Sequence, residues 1–265
     1  MGIKIGIGGK GGVGKTTVCA VWAQLFAQDG FDVLALDADP NTTLASAFGI
    51  PSSQSPQPLI NMKKLIAERT GTGKDAIGAY FKLNPEVSDL PDKYCLNVNG
   101  VKLLVLGSIT QAGSGCACPE GAFLKALLTH TILHRQEVVL VDLAAGVEFM
   151  GRASVQGLDA LVVVVEPGSR SIETAVNIAQ MAKELGIKST AAITNKITEP
   201  PQIETIRDGL TNITILANIP YNPALQQADL LKNNVFDADK EIVEQLKTAK
   251  NQLMNLVSER AKADS

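Results

Sequence analysis

The chain has 265 residues, of which 45% are hydrophobic and 19% charged, a composition that excludes a disordered chain or a coiled coil. Its 24 Lys and Arg stand against 27 Asp and Glu, and the formal net charge of −3 lacks the basic excess of a dedicated nucleic-acid binder. Its 4 cysteines are too few to staple a chain this long with disulfides. No apolar run approaches the roughly 18 residues of a membrane span. Met1 to Ile7 lacks the basic and long apolar regions of a targeting signal. A cytoplasmic protein with reduced thiols is expected, folded as one domain over residues 1–265.

Short β-rich runs alternate with helical patterns. Strands are predicted at Ile3 to Ile7, Asp32 to Asp37, Val101 to Leu106, Val138 to Asp142, Ala160 to Glu166, Thr190 to Thr194 and Ile213 to Ile219. Several are apolar on both faces, as strands covered by helices on both sides must be, so the sheet should be mostly parallel. Helices are predicted at Thr16 to Asp29, Pro119 to His134, Ile172 to Leu185, Pro201 to Leu210 and Asp239 to Lys262. In the last, Ile242, Leu246, Ala249, Leu253 and Leu256 recur at three or four residues, which docks that helix on the sheet. An insertion over about residues 50–100 breaks the rhythm. It opens on a Pro- and Ser-rich linker and continues through the weakly patterned stretch Asn61 to Leu90. It closes with a hairpin, Tyr94 to Val98 turning at Asn99-Gly100 into Val101, which makes one sheet edge mixed. The fold class is α/β, a mostly parallel P-loop NTPase sheet with helices on both faces.

The strongest chemical signal follows the first strand. Gly9, Gly14, Lys15 and Thr16 satisfy G-x-x-x-x-G-K-[ST] between a strand and a helix. Gly9, Gly11, Gly12, Val13 and Gly14 can turn successive backbone N–H groups around a phosphate, and the helix start at Thr16 and Thr17 adds partial positive charge. Lys15 would reach the β- and γ-phosphates while the Thr16 hydroxyl ligates Mg²⁺. Asp37 and Asp39 close the second strand two residues apart, a spacing that could serve a metal-bound water and an attacking water, or simply an Asp-Pro turn. Asp142 ends an apolar strand and Gly146 follows four residues on, the form of a Mg²⁺-binding aspartate and a glycine N–H that senses a γ-phosphate. Asn195 precedes Lys196 at the end of a later strand and offers a donor and an acceptor to adenine. GTPases with N-K-x-D read guanine with an Asp where this chain has Thr198, which favours ATP. Pro220 and Tyr221 suit the lining of a base pocket and a plain turn equally well.

Cys116 and Cys118 form a C-x-C pair in a glycine-rich loop. Extended residues i and i+2 project to one side, so both thiolates can meet one metal ion. Two thiolates are half of a four-thiolate site, tetrahedral for Zn²⁺ or square-planar for Ni²⁺, which a second copy about a two-fold axis would complete. A strained disulfide and coincidental thiols are the alternatives. His130 and His134 sit four apart on one predicted helix, a spacing that suits a metal but also the helix dipole, the reading preferred here. Cys19 and Cys95 are isolated and read as buried.

With Lys10 ahead of Gly11-Gly12-Val13-Gly14-Lys15-Thr16-Thr17, the loop resembles that of the deviant Walker A ATPases, which include the nitrogenase iron protein, MinD, ParA and the arsenite pump. The resemblance implies that Lys10 reaches the nucleotide of a second subunit and that Asp39, in switch I, positions the nucleophile, with Asp37 nearer the metal. The phosphate loop joined to Cys-x-Cys-Pro, and then Asp142-x-x-Ala-Gly-x-Glu, is similar to the CooC-type ATPases. These assist nickel insertion into carbon monoxide dehydrogenase. Where that group carries Glu-His, this chain has Glu148-Phe149. The resemblance implies a homodimer carrying ATP or ADP, Mg²⁺ and Ni²⁺ or Zn²⁺, with carbon monoxide dehydrogenase or a related metalloenzyme as client and neither nucleic acid nor membrane as partner. Two other readings stay open. An iron–sulfur carrier or redox ATPase scaffold would use the same C-x-C, and a ParA/MinD-like positioning ATPase would need a basic patch or basic amphipathic tail.

Overall fold

The computed structural model describes residues 2–72, 81–107, 119–130, 136–146, 155 and 157–263. Its strands are β1 (Ile3–Gly9), β2 (Asp32–Asp37), β3 (Leu96–Val98), β4 (Val101–Val105), β5 (Glu137–Asp142), β6 (Ala160–Val165), β7 (Ser189–Ile197) and β8 (Thr214–Pro220). The helices are α1 (Lys15–Gln28), α2 (Leu44–Ala47), α3 (Lys63–Thr70), α4 (Leu90–Tyr94), α5 (Pro119–His130), α6 (Ser169–Glu184), α7 (Pro200–Gly209), α8 (Pro223–Leu231) and α9 (Lys240–Ala263). The strands form one eight-stranded sheet in the order β3-β4-β2-β5-β1-β6-β7-β8. All neighbours run parallel except the edge pair β3 and β4. That edge is the expected hairpin, with Asn99 and Gly100 at φ 50° and 78°, the two left-handed residues of a tight primed turn.

Strand alternation splits the apolar residues between two cores. Ile3, Ile5 and Ile7 of β1 face one side and pack with Trp22 of α1 and Leu246 of α9. Leu36, Val141 and Val163 face the other and pack with Phe123 of α5, Ile178 of α6 and Ile206 of α7. Burial of each such side chain contributes about 1.5–3 kcal/mol, so both faces need their helices. The buried Trp22 indole donates to Leu246 O at 2.9 Å, tying α1 to α9.

The elements depart from the sequence expectation in a few places. Tyr94 ends helix α4 instead of starting the hairpin strand, because Pro91 pre-sets the first turn of that helix. The stretch from Asn61 to Leu90 contains α3, and α8 was not anticipated. Cys19 is buried, whereas Cys95 is only half-buried beside the sheet edge. Among the described residues no helix is long and apolar enough to cross a membrane.

The topology decides where chemistry can gather. Strand β1 lies between β5 and β6, in register Ile7 with Asp142 and Gly9 with Val164. The connection through α1 must pass β5 to reach β2. The carboxyl ends of β1, β2, β5, β6 and β7 therefore surround one crevice, the position where open α/β sheets take ligands.

Candidate functional site

The loop leaving β1 sets the shape of the site. Gly9 has φ 142°, and a Cβ there would come within 2.5 Å of Val164 O. Gly14 has φ 103°, and its Cβ would meet Asn195 Nδ2 at 2.4 Å. Only glycine fits either position, because the loop must turn left-handed and press against its neighbours at once. The Gly146 N–H, expected to face a γ-phosphate, donates instead to Gly9 O at 3.1 Å. Lys15 is almost wholly buried, and its ammonium donates to Lys10 O at 3.3 Å, curled over the loop's own backbone.

Two strand ends bring the acidic side chains together. Asp37 and Asp142 are register partners on β2 and β5, and both are fully buried. The Thr16 hydroxyl donates to Asp142 Oδ2 at 2.7 Å and lies 3.3 Å from the Thr43 hydroxyl. Asp142 Oδ1 is buried with no hydrogen-bond partner. Burial, followed by the neighbouring Asp37 charge, pushes the Asp142 carboxyl up to about 8, although the Thr16 hydrogen bond pulls the other way. Burial raises Asp37 to about 6, against the backbone N–H groups of Leu44 and Asp39 that donate to it at 2.9 and 3.2 Å. Asp39 lies beyond this pair and accepts from Asn41 N at 2.8 Å, which shapes the turn at Pro40. An orphaned carboxylate oxygen, a second carboxylate and a hydroxyl at one spot form an all-oxygen donor set. That set fits a hard divalent cation such as Mg²⁺.

A cleft of about 530 Å³ runs from this cluster along the loop to β8 and α8. Gly11, Gly12, Gly14, Lys15, Thr16 and Thr17 line one end, with Asp39 beside them. Asn195, Pro220, Leu225 and Gln226 line the other. Asn195 is nearly buried; its Nδ2 donates to Val13 O at 2.8 Å and its Oδ1 accepts from Lys196 N at 2.9 Å. One N–H and one lone pair of the carboxamide remain for a ligand. The Lys10 ammonium pairs with Glu166 at 3.3 Å, as does that of Lys196.

The structure thus brings the loop, Asp39, Asn195 and Pro220 around one cleft, with Asp37 and Asp142 buried behind Thr16. Cys116, Cys118, Glu148, Phe149 and His134 lie outside the described residues, and α5 carries His130 at its end. Among the described residues no group of three or more His, Cys, Asp or Glu is placed to hold a metal. Sequence reasoning missed Thr43, Glu166 and the wall from α8. The Asn222-Pro223 start of α8 was a readable signal, since Asn222 Oδ1 caps the helix by accepting from Ala224 N at 2.8 Å. Glu166 carried none, because its partners come from the phosphate loop and from β7, both distant in sequence.

The description CobQ/CobB/MinD/ParA nucleotide binding domain matches residues 5–256. The chain is 42% identical over 237 residues to the carbon monoxide dehydrogenase accessory protein CooC of Rhodospirillum rubrum, spanning 89% of this chain and 90% of that one. It is 39% identical over 232 residues to an uncharacterized ATP-binding protein of Methanocaldococcus jannaschii, spanning 86% and 89% of the two chains. The fold is that of MinD in the MinC:MinD complex of Aquifex aeolicus, with a TM-score of 0.68 at 19% identity over 96% of each chain. An ATP-sized cleft floored by a glycine loop and buried carboxylates agrees with these kinships: the chain belongs to the CobQ/CobB/MinD/ParA nucleotide-binding family and is an ATPase.

Proposed function

We propose that the chain, acting as one nucleotide-binding domain, hydrolyses ATP at Gly9–Thr17 to drive nickel insertion into carbon monoxide dehydrogenase or a related metalloenzyme. The observation that carries this reading is the 42% identity with the carbon monoxide dehydrogenase accessory protein over nearly the whole chain. The C-x-C pair at Cys116 and Cys118 supports it, since a cargo ion needs soft ligands and a two-fold axis doubles them.

In the hydrolysis step, the N–H groups of Gly11 to Thr16 and the Lys15 ammonium neutralise the phosphate oxygens as charge moves toward the leaving group. Asp39 orients the attacking water. The bond between the γ-phosphorus and the bridging oxygen breaks, leaving ADP and phosphate. Thr16, Asp37 and Asp142 would hold Mg²⁺, which when bound would supply positive charge beside the transferred group. Lys10 acts on the nucleotide of a second copy. Asn195 and Pro220 receive the base. The cargo ion sits between Cys116 and Cys118 of both subunits, so nucleotide and metal share one interface and the state of the γ-phosphate can bias both.

Metal analysis together with oligomeric state, with and without ATP and ADP, tests this. One Ni²⁺ or Zn²⁺ per dimer is expected, lost in Cys118→Ser; a tightly bound ion retained by a monomeric Cys118→Ser protein sinks the shared site. Lys15→Ala should abolish ATP turnover, and unchanged hydrolysis would remove the loop from the reaction.

A further inference from the structure

Two successive carbonyls of the phosphate loop are gripped from outside the loop by adjacent residues. The Lys196 ammonium donates to Gly12 O at 2.6 Å, and the Asn195 carboxamide donates to Val13 O at 2.8 Å. In a trans peptide the carbonyl and the following N–H point in opposite directions. Holding the Gly12 carbonyl toward Lys196 therefore directs the Val13 N–H away from Lys196. Holding the Val13 carbonyl toward Asn195 does the same for the Gly14 N–H. A loop free to rotate these two planes would instead offer carbonyl oxygens to the ligand, which repel phosphate.

Three further observations set Lys196 apart from an ordinary surface lysine. It occupies the left-handed region, φ 59°, which is strained for a non-glycine residue and persists where the surroundings impose it. The pairing of β7 with β8 shifts between Thr194 and Ile197, so Asn195 and Lys196 sit at a bulge. Bulges re-aim side chains, here toward the loop. Finally, the Lys196 ammonium is fixed on its far side by Glu166 Oε2 at 3.3 Å, while Oε1 of the same carboxylate holds Lys10. Both lysines are more than two-fifths exposed. Ion pairs of that kind add little to stability, so the arrangement is better explained by the geometry it imposes.

We propose that Lys196 and Glu166 are positioning residues for the nucleotide: Glu166 fixes the Lys196 ammonium, and Lys196 holds the Gly12 carbonyl turned out of the phosphate cradle. This rests on the reading that Gly9–Thr17 binds the nucleotide. The brace acts before chemistry and on ADP as on ATP, so its removal weakens binding more than turnover.

The test is ADP affinity by calorimetry with steady-state ATP kinetics, reading the melting temperature of each nucleotide-free variant alongside. Lys196→Met should raise the ADP Kd and the ATP KM about tenfold, the usual size of a lost hydrogen bond from a charged donor, and leave kcat within about threefold. Lys196→Arg should restore most of the affinity, because it keeps both a donor for Gly12 O and a charge for Glu166. Glu166→Gln should weaken ADP binding by less, and the Glu166→Gln/Lys196→Met double variant should bind no worse than Lys196→Met alone. An unchanged ADP Kd in Lys196→Met, a failure of Lys196→Arg to rescue, or additive losses in the double variant overturns the brace. Unchanged ADP binding and turnover in Lys15→Ala would overturn the loop assignment itself, a result distinct from these.

Discussion

Asp142 shows how strongly burial acts on a single residue. Its carboxyl is pushed up to about 8 and that of Asp37 to about 6, both first by burial, from an ordinary value of 3.8. The folded protein therefore keeps protons that the unfolded chain has already lost as pH rises past 3.8. Stability without nucleotide or Mg²⁺ falls as pH climbs through that window and levels off above about 8. Asp142→Asn retains an acceptor for Thr16 but has nothing to titrate. It should flatten the decline between about 6 and about 8 and raise the melting temperature at the upper end. Thermal unfolding of both proteins across that range checks this, and parallel curves would refute it. The same protonated carboxyl must ionise to take a divalent cation. Binding of Mg²⁺ with nucleotide should then release protons at neutral pH and tighten as pH rises. The residues of this cluster were legible individually, each at a strand end after an apolar run. The effect of the Asp37 charge on Asp142 was not, because it arises from β2 and β5 lying side by side.

Among the elements, β1 with α1 was the most readable. The glycine spacing, the strand before it and the helix after it agree, and the local sequence alone requires the turn. The Asn99-Gly100 hairpin was equally local. Helices α3 and α8 were missed because neither carries a strong apolar stripe: α3 buries Ile66 and Thr70, and α8 buries only Ala228. Their helicity is set by caps and neighbours more than by periodicity. For α8 the cap is Asn222, whose side chain also donates to Asp239 Oδ2 at 2.8 Å ahead of α9. Asn222→Ala should therefore cost about 1 kcal/mol in urea unfolding and loosen the wall of the base end, raising the ATP KM while sparing kcat. A KM unchanged at that stability loss would mean that α8 contributes nothing to the nucleotide end of the cleft. Glu166 and Lys196 belong to this scale too. Their partnership depends on β6 and β7 being neighbours in the sheet, information that no window of sequence contains.

For the whole molecule, the sheet divides labour between its two faces. The face carrying α1 and α9 supports the phosphate loop from below, whereas α3, α5, α6 and α7 cover the other. Strand β1 lies between β5 and β6 inside the sheet, and its second residue is a buried lysine. Lys4 is almost fully buried on the α5 side, and its ammonium donates to Leu128 O and Thr129 O, both at 3.2 Å. Burial lowers its pKa, with Asp159 opposing. Lys4→Met would strand two helix-terminal carbonyls and should destabilise the fold by about 1–3 kcal/mol in urea unfolding. Hydrogen exchange with and without ATP adds a second readout: amides near Leu128 should stay protected while those near Pro119 change, and the opposite pattern would exclude a fixed end there. The geometry makes Lys4 an anchor for the end of α5. Helix α5 has 12 residues and so a length of about 18 Å, pinned at its carboxyl end to the strand that becomes the phosphate loop. Cys118 directly precedes the other end of the helix in sequence, so about 18 Å of rigid helix separates the Lys4 anchor from the residue that follows the cysteine pair.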